Sequence, residues 1–275
     1  MARASSEKKD RNNTRRAAAK FVLWALVVCF VLFCAIWSVQ QFEQFLITDS
    51  RFTLPPPSDY GQESPNLQVD GVQFANRNQV LRVFADDLGR SVYLLPIADR
   101  RKALLRVSWI KEASIVRLWP NRVVVRVSER RPAAFIAIES EGIARWSLID
   151  SDGVILEPPD RPHPFNLPML RGVRIGEKAD VRGMRVRRMQ YLLRELGPLA
   201  DNISEIDVSD LDDLKVTEKM QDHAIRLILG DHNFRSRVQN FIDRYPDIRK
   251  RMPDAKVLDL RLDDRITVQE ARNAG

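Results

Sequence analysis

The sequence predicts an α+β protein carried on a single N-terminal transmembrane helix. Three observations predict it. Residues 21–39 form an uncharged apolar run. Residues 66–131 hold short extended segments and two amphipathic helical stretches, in the order strand, helix, helix, strand, strand. Residues 132–270 read as many short strands interrupted by two more helical stretches, a β-rich unit with two packed helices. A length of 275 residues and a hydrophobic content of 44% support one or two domains with a real core. The expected organisation is a basic tail (1–20), a transmembrane helix (21–41), a proline-rich linker (42–65), a small mixed domain (66–131), a β-rich domain (132–270) and a short tail (271–275).

The apolar run, FVLWALVVCFVLFCAIWSV, is as long as a bilayer's hydrocarbon layer is thick, roughly 28 Å as a helix. It is longer and bulkier than a signal-peptide core, and Ser38, Val39, Gln40, Gln41 and Phe42 make poor cleavage context. An uncleaved anchor is therefore expected. Residues 1–20 carry seven Lys/Arg and two acids, +5 of the chain's formal +7. Only Arg51 is basic among the first twenty residues after the run, so the positive-inside rule puts the N-terminus in the cytoplasm. The basic pI belongs largely to this tail and implies no nucleic-acid partner. Both cysteines, Cys29 and Cys34, lie within the apolar run, which removes disulfide, zinc and thiol-nucleophile readings for the rest.

Between Thr48 and Asn66 there are four prolines, with Pro55-Pro56-Pro57 consecutive, and no periodicity. The segment reads as an extended stalk that lifts the folded part off the membrane.

Leu67–Val72 reads as a strand. From Arg77 to Leu88, Val80, Leu81, Phe84 and Leu88 share one helical face, with Gly89 suited to the C-cap. Val92–Leu95 is an extended connector. Asp99 is placed to cap a second helix with Ala103, Leu104 and Leu105 inward. Ile115–Leu118, the turn Trp119-Pro120-Asn121-Arg122 and the alternation of Val123, Val125 and Val127 predict a hairpin. Pro132 should end or bend the second strand.

Downstream, strands are expected at Ala133–Ile138, Trp146–Ile149 and Val154–Leu156, with Asp150-Ser151-Asp152-Gly153 as a turn. Residues 158–168 are a proline-rich loop. Met184–Leu196 is a helix with Met189, Leu192, Leu193 and Leu196 as its apolar stripe; its opposite face (Arg185, Arg187, Arg188, Arg194) reads as solvated. Strands follow at Ile203–Val208, Leu214–Thr217 and Ala224–Leu229. Phe234, Val238, Phe241, Ile242 and Tyr245 mark a second helix, stopped by Pro246. Val257–Leu262 and Ile266–Gln269 close the chain as a strand pair.

No catalytic, metal or cofactor site is visible. His163, His223 and His232 are isolated, and neither a nucleophile elbow nor a phosphate loop occurs. The pairs Asp86-Asp87, Asp212-Asp213 and Asp263-Asp264 are adjacent in sequence, so their side chains diverge; they read as solvated surface. In the last strand, Leu258, Leu260 and Leu262 alternate with Asp259, Arg261 and Asp263. It is either an open edge that takes an added strand or an ordinary sheet strand, and the residues alone leave these open.

A resemblance bears on that choice. A-S-I-V-R-L-W-P-N followed by V-V-V-R-V-S-E-R-R-P-A-A-F resembles the last two strands of the POTRA domain in the FtsQ/DivIB family of bacterial cell-division proteins. V-D-G-V and S-V-Y-L-L before it, and W-S-L-I-D-S-D-G-V-I, L-P-M-L-R-G, I-R-L-I-L-G and V-L-D-L-R-L-D-D-R-I-T-V after it, keep the family's order and spacing. Ser108 stands where the family usually has proline, Leu262 where it has an aromatic, and Arg265 near its glycine. The resemblance implies a POTRA domain, a β domain and a non-catalytic scaffold of the divisome at the septum. It implies an inner-membrane, largely periplasmic protein with no small-molecule substrate. It also implies docking of FtsB-like and FtsL-like bitopic proteins, and other divisome components, on Leu258, Leu260, Leu262, Asp264, Ile266 and Val268. Two other readings exist. POTRA domains also serve chaperone and transport factors for exported or outer-membrane proteins, but those precede a transmembrane barrel, and no set of lipid-facing strands follows here. An anchored cell-wall enzyme would need a nucleophile or metal cluster outside the membrane.

Overall fold

A helix of 46 residues, α1 (Arg3–Thr48), opens the computed structural model, which describes residues 3–57, 63–140, 143–220, 223–262 and 265–269. The tail expected at 271–275 lies outside the described residues. Within α1, Leu26–Thr48 is long and apolar enough to cross a membrane, with a mean hydropathy of 1.8. It runs past the expected end at residue 41.

The architecture is α+β. β1 (Leu67–Asp70), α2 (Arg77–Arg82), α3 (Ile97–Leu104), β2 (Ile110–Leu118) and β3 (Arg122–Glu129) come first, and a three-stranded sheet has the order β1-β3-β2. Then follow β4 (Pro132–Ser140), β5 (Ile143–Asp150), β6 (Ile155–Leu156), β7 (Met169–Arg171), α4 (Ala179–Leu196), β8 (Ile203–Asp207), β9 (Leu214–Lys219), β10 (Ala224–Gly230), α5 (Phe234–Arg251), β11 (Val257–Asp259) and β12 (Thr267–Gln269). These strands form a nine-stranded sheet ordered β12-β11-β10-β9-β8-β7-β4-β5-β6. The chain divides into two compact units interleaved in sequence: residues 1–69, 84–100 and 115–125, and residues 70–83, 101–114 and 126–275.

In the first unit the end of α1 is fastened to the folded chain. Leu46 is buried. Its carbonyl accepts a 2.6 Å hydrogen bond from the Ser91 hydroxyl, and Tyr93 Oη donates to Glu43 at 3.3 Å. Leu54 exchanges backbone bonds with the 89–90 turn: its N–H donates to Arg90 O at 2.9 Å and its carbonyl accepts from Gly89 N–H at 2.8 Å. The segment after the helix was expected to be a free stalk. Its described residues up to Leu54 are instead hydrogen-bonded into the unit, because Leu54 buries almost all of its side chain.

Several local expectations change for physical reasons. The helix expected over 77–88 stops at Arg82, and Ala85–Asp87 is a 3₁₀ turn. Asn76 caps its start by accepting from Gln79 N–H at 3.1 Å. Asp87 is not solvated: it is buried and takes a two-pronged bond from Arg100, at 2.7 and 3.1 Å. Val92–Leu94 is a 3₁₀ turn rather than an extended connector. α3 starts at Ile97, so Asp99 sits in its first turn and the Pro96 carbonyl takes the opening bonds from Asp99 and Arg100.

The second unit is built on the nine-stranded sheet. Pro132 is the first residue of β4, where a missing N–H costs no ladder bond, and the register shifts between Pro132 and Ala134. Two helices return the chain to parallel strands, β7–α4–β8 and β10–α5–β11. Val186, Met189, Leu192 and Leu196 of α4 join Phe234, Val238 and Phe241 of α5 and the sheet's inner side chains in one core. Each such large side chain contributes about 1.5–3 kcal/mol by leaving water. Contrary to expectation, α5 passes through Pro246 to Arg251. Tyr245 and Ile248 pack on the core, Met252 N–H bonds to Ile248 O at 2.8 Å, and Arg249, Lys250 and Arg251 suit the helix C-terminus. Two arginines of α4 are clamps rather than a solvated face. Arg185 binds Glu177 at 3.0 Å and the Val208 carbonyl at 2.5 Å; Arg188 reaches the Leu211 and Asp231 carbonyls at 3.0 and 2.7 Å.

A candidate partner-docking edge

The alternation Val257–Leu262 yields only a three-residue strand, β11, and that strand is interior. It runs parallel to β10 (Leu227 opposite Leu258) and antiparallel to β12 (Leu258 opposite Val268). Leu258 is fully buried, and Leu260 N–H donates to Ile228 O at 2.9 Å, so both are structural members of the sheet. The open-edge reading of 258–262 is thereby corrected. Among the described residues the edge strands of this sheet are β12 and β6, each paired on one side only, and β12 is the edge beside β11.

Of the six expected docking residues, the structure brings Leu258 and Leu260 into the core and packs Ile266 and Val268 half-buried against it. It leaves Leu262 51% exposed. Asp264 lies outside the described residues. Beside β12 opens a groove of about 480 Å³, lined by Arg251, Met252, Pro253, Asp254, Ala255, Lys256, Val268 and Gln269. Its wall comes from the end of α5, whose extension beyond Pro246 the sequence did not suggest.

A polar clamp holds the chain where it leaves β11. Asp259 takes bonds from Arg261 at 3.0 Å (Nε) and 2.6 Å (Nη2), and these hold its carboxyl below the usual carboxylate range. Arg237 is buried and donates to Arg261 O at 2.8 Å and Leu229 O at 2.5 Å. Gly230, at φ +73°, ends β10 beside them: a Cβ there would stand 3.0 Å from Arg237 Nη1 and 3.3 Å from Arg261 Cγ. Nothing in the pattern of α5 singled out Arg237, since a charge at helical spacing reads as exposed. On β9, burial pushes the Glu218 carboxyl up, and its Oε2 has no hydrogen-bond partner among the described residues.

The E-R-x-P stretch also has a visible job. The Glu129 carboxylate accepts the backbone N–H groups of Gln73, Phe74 and Ala75 at 2.9–3.1 Å, and Arg130 binds Asp150 at 2.6 Å. Among the described residues no group of three or more His, Cys, Asp or Glu could hold a metal ion. What the edge offers is backbone pairing beside a groove of mixed apolar and charged lining.

Residues 65–130 match the POTRA domain, FtsQ-type, and residues 137–261 match the C-terminal region of cell division protein FtsQ/DivIB. The chain belongs to the FtsQ/DivIB family. Cell division protein FtsQ of Koribacter versatilis is 31% identical over 210 residues, covering 74% of this chain and 59% of that protein. Those of Coxiella burnetii and Haemophilus influenzae are each 28% identical, over 149 and 172 residues. These cover 53% and 60% of this chain and 54% and 57% of the relatives. The FtsQ/DivIB match thus spans somewhat over half the length of these curated relatives.

Proposed function

We propose that this chain is a single-pass inner-membrane protein, N-terminus in the cytoplasm, that acts as a non-catalytic divisome scaffold at the septum. Its proposed parts are the basic tail, the α1 span, a POTRA domain ending near residue 131 and a periplasmic β domain. It links FtsB-like and FtsL-like bitopic proteins to other divisome components. The observation that carries the docking mode is β12, a strand paired on one side only among the described residues, beside a groove that offers Met252, Pro253 and Val268 among charged side chains. An extended partner segment would add to β12 and seat side chains against Val268 and Met252. Family membership supports the cell-division context; the basic flank of α1 supports the orientation.

Leu260→Pro is a poor test, because it removes the bond to Ile228 O and damages the sheet itself. The test is detergent co-purification with the full chain beside a version ending after Leu262, which keeps β11. Small single-span proteins with coiled-coil heptads should co-purify with the first and be lost from the second. Equal capture by both would refute docking at β12. Capture of unfolded exported chains would favour the transport reading.

A further inference from the structure

We propose that the tip of the β2–β3 hairpin, led by Trp119, rests in the headgroup layer of the bilayer that α1 crosses. The proposal rests on the reading of α1 as a membrane span. Leu26–Thr48 has 23 residues, about 34 Å of helix against about 30 Å of hydrocarbon, so the last turn of the stretch emerges at the interface. Phe45 lies in that turn. Its ring meets Phe52 edge-on at 5.6 Å, and Phe52 meets Trp119 edge-on at 5.5 Å. Trp119 is therefore two ring contacts away from the emerging helix, within the first compact unit.

The tip has the chemistry of the layer. Trp119 is 53% exposed and Leu118 42% exposed, an unusual outlay of apolar surface for the end of a hairpin in water. Indole rings favour this boundary because one edge is apolar and the N–H is polar. From Ile115 to Val125 there is no acid, and of the two arginines Arg117 donates inward to the Leu95 carbonyl at 2.9 Å, which leaves Arg122 as the cation offered to anionic headgroups. Arg122 is exposed next to the turn. Arg51, ion-paired with Asp49 at 2.8 Å, stands over the Phe45 ring at 5.5 Å at the same end of the aromatic row. The fastening of Leu46 and Leu54 to the 89–91 segment keeps the hairpin at this height.

The test places a nitroxide at Trp119→Cys in the full-length Cys29→Ser/Cys34→Ser chain, reconstituted in phosphatidylethanolamine–phosphatidylglycerol vesicles. Collisions with oxygen, concentrated in lipid, are compared with collisions with a water-soluble nickel chelate. The expected result is an oxygen-to-nickel ratio several-fold above that of the free label in buffer, and below that of a label on Cys29 in a Cys34→Ser chain. A second label at Leu118→Cys keeps the indole and should give the same ranking. A water-like ratio at both positions overturns the proposal. So does shielding from both reagents, which would mean that protein covers the tip. If the Cys29 label itself is not deep, the span reading fails and the proposal falls with it; if Cys29 is deep and both tip labels read like the free label in buffer, only the proposal fails.

Discussion

β11 and β12 are adjacent, three residues each, and held very differently. β11 has strands on both sides, a fully buried Leu258 and the Asp259–Arg261–Arg237 clamp at its exit. Among the described residues β12 has one neighbour, and its Val268 is half-buried. The better-patterned of the two segments is thus the one committed to the fold, and the plainer one is left available. Apolar alternation reports burial, whereas availability depends on how many backbone neighbours a strand acquires.

The largest effect should come from breaking the interior side. Leu258→Ala should cost about 2–5 kcal/mol, read by chemical denaturation of the detergent-solubilised chain. Arg237→Met should cost about 1–3 kcal/mol, since it orphans the Leu229 and Arg261 carbonyls. Val268→Ala, on the edge, should cost only about 0.2–1 kcal/mol, the worth of its cross-strand pair with Leu258, while weakening partner capture. If Leu258→Ala and Val268→Ala destabilise equally, the two strands are not as distinct as their pairing indicates.

The smallest effects are in pH, and they have opposite signs. The folded Asp259 carboxyl is held low by Arg261, so its contribution is present above the unfolded value of about 3.9 and is lost as pH falls through the folded value. Asp259→Asn should flatten acid melting below about pH 4. Glu218 on β9 is held high by burial, so stability falls as pH rises from about 4.3 through its raised folded value. Glu218→Gln should remove that loss and melt higher at neutral pH. A Glu218→Gln variant that melts lower at neutral pH would mean the carboxylate has a partner after all.

Periodicity made most of this legible. Val123, Val125 and Val127 predicted β3, Met189, Leu192 and Leu196 predicted α4, and both residue sets are buried. The two βαβ returns were not legible, because strand order is fixed by contacts far apart in sequence. Nor were the clamps: Arg185, Arg188 and Arg237 look like solvated charges until the carbonyls they bind are in place. α5 outran Pro246 because packing of Ile248 on the core outweighs a local helix-stop signal. For the candidate edge, the alternation drew attention to Val257–Leu262, whereas the strand paired on one side at that end is β12, which holds Val268 of the expected set.

The bond from Ser91 to the Leu46 carbonyl has a mechanical consequence. With Leu46 buried and the chain pinned again at Leu54, the end of α1 is held at two points to the rest of the first compact unit. Rotation of the helix about its own axis turns the unit with it, as a key turns with its shaft. A neighbour that grips the helix by one face therefore sets the compass heading of the whole first unit, and torque applied to that unit is felt along the helix.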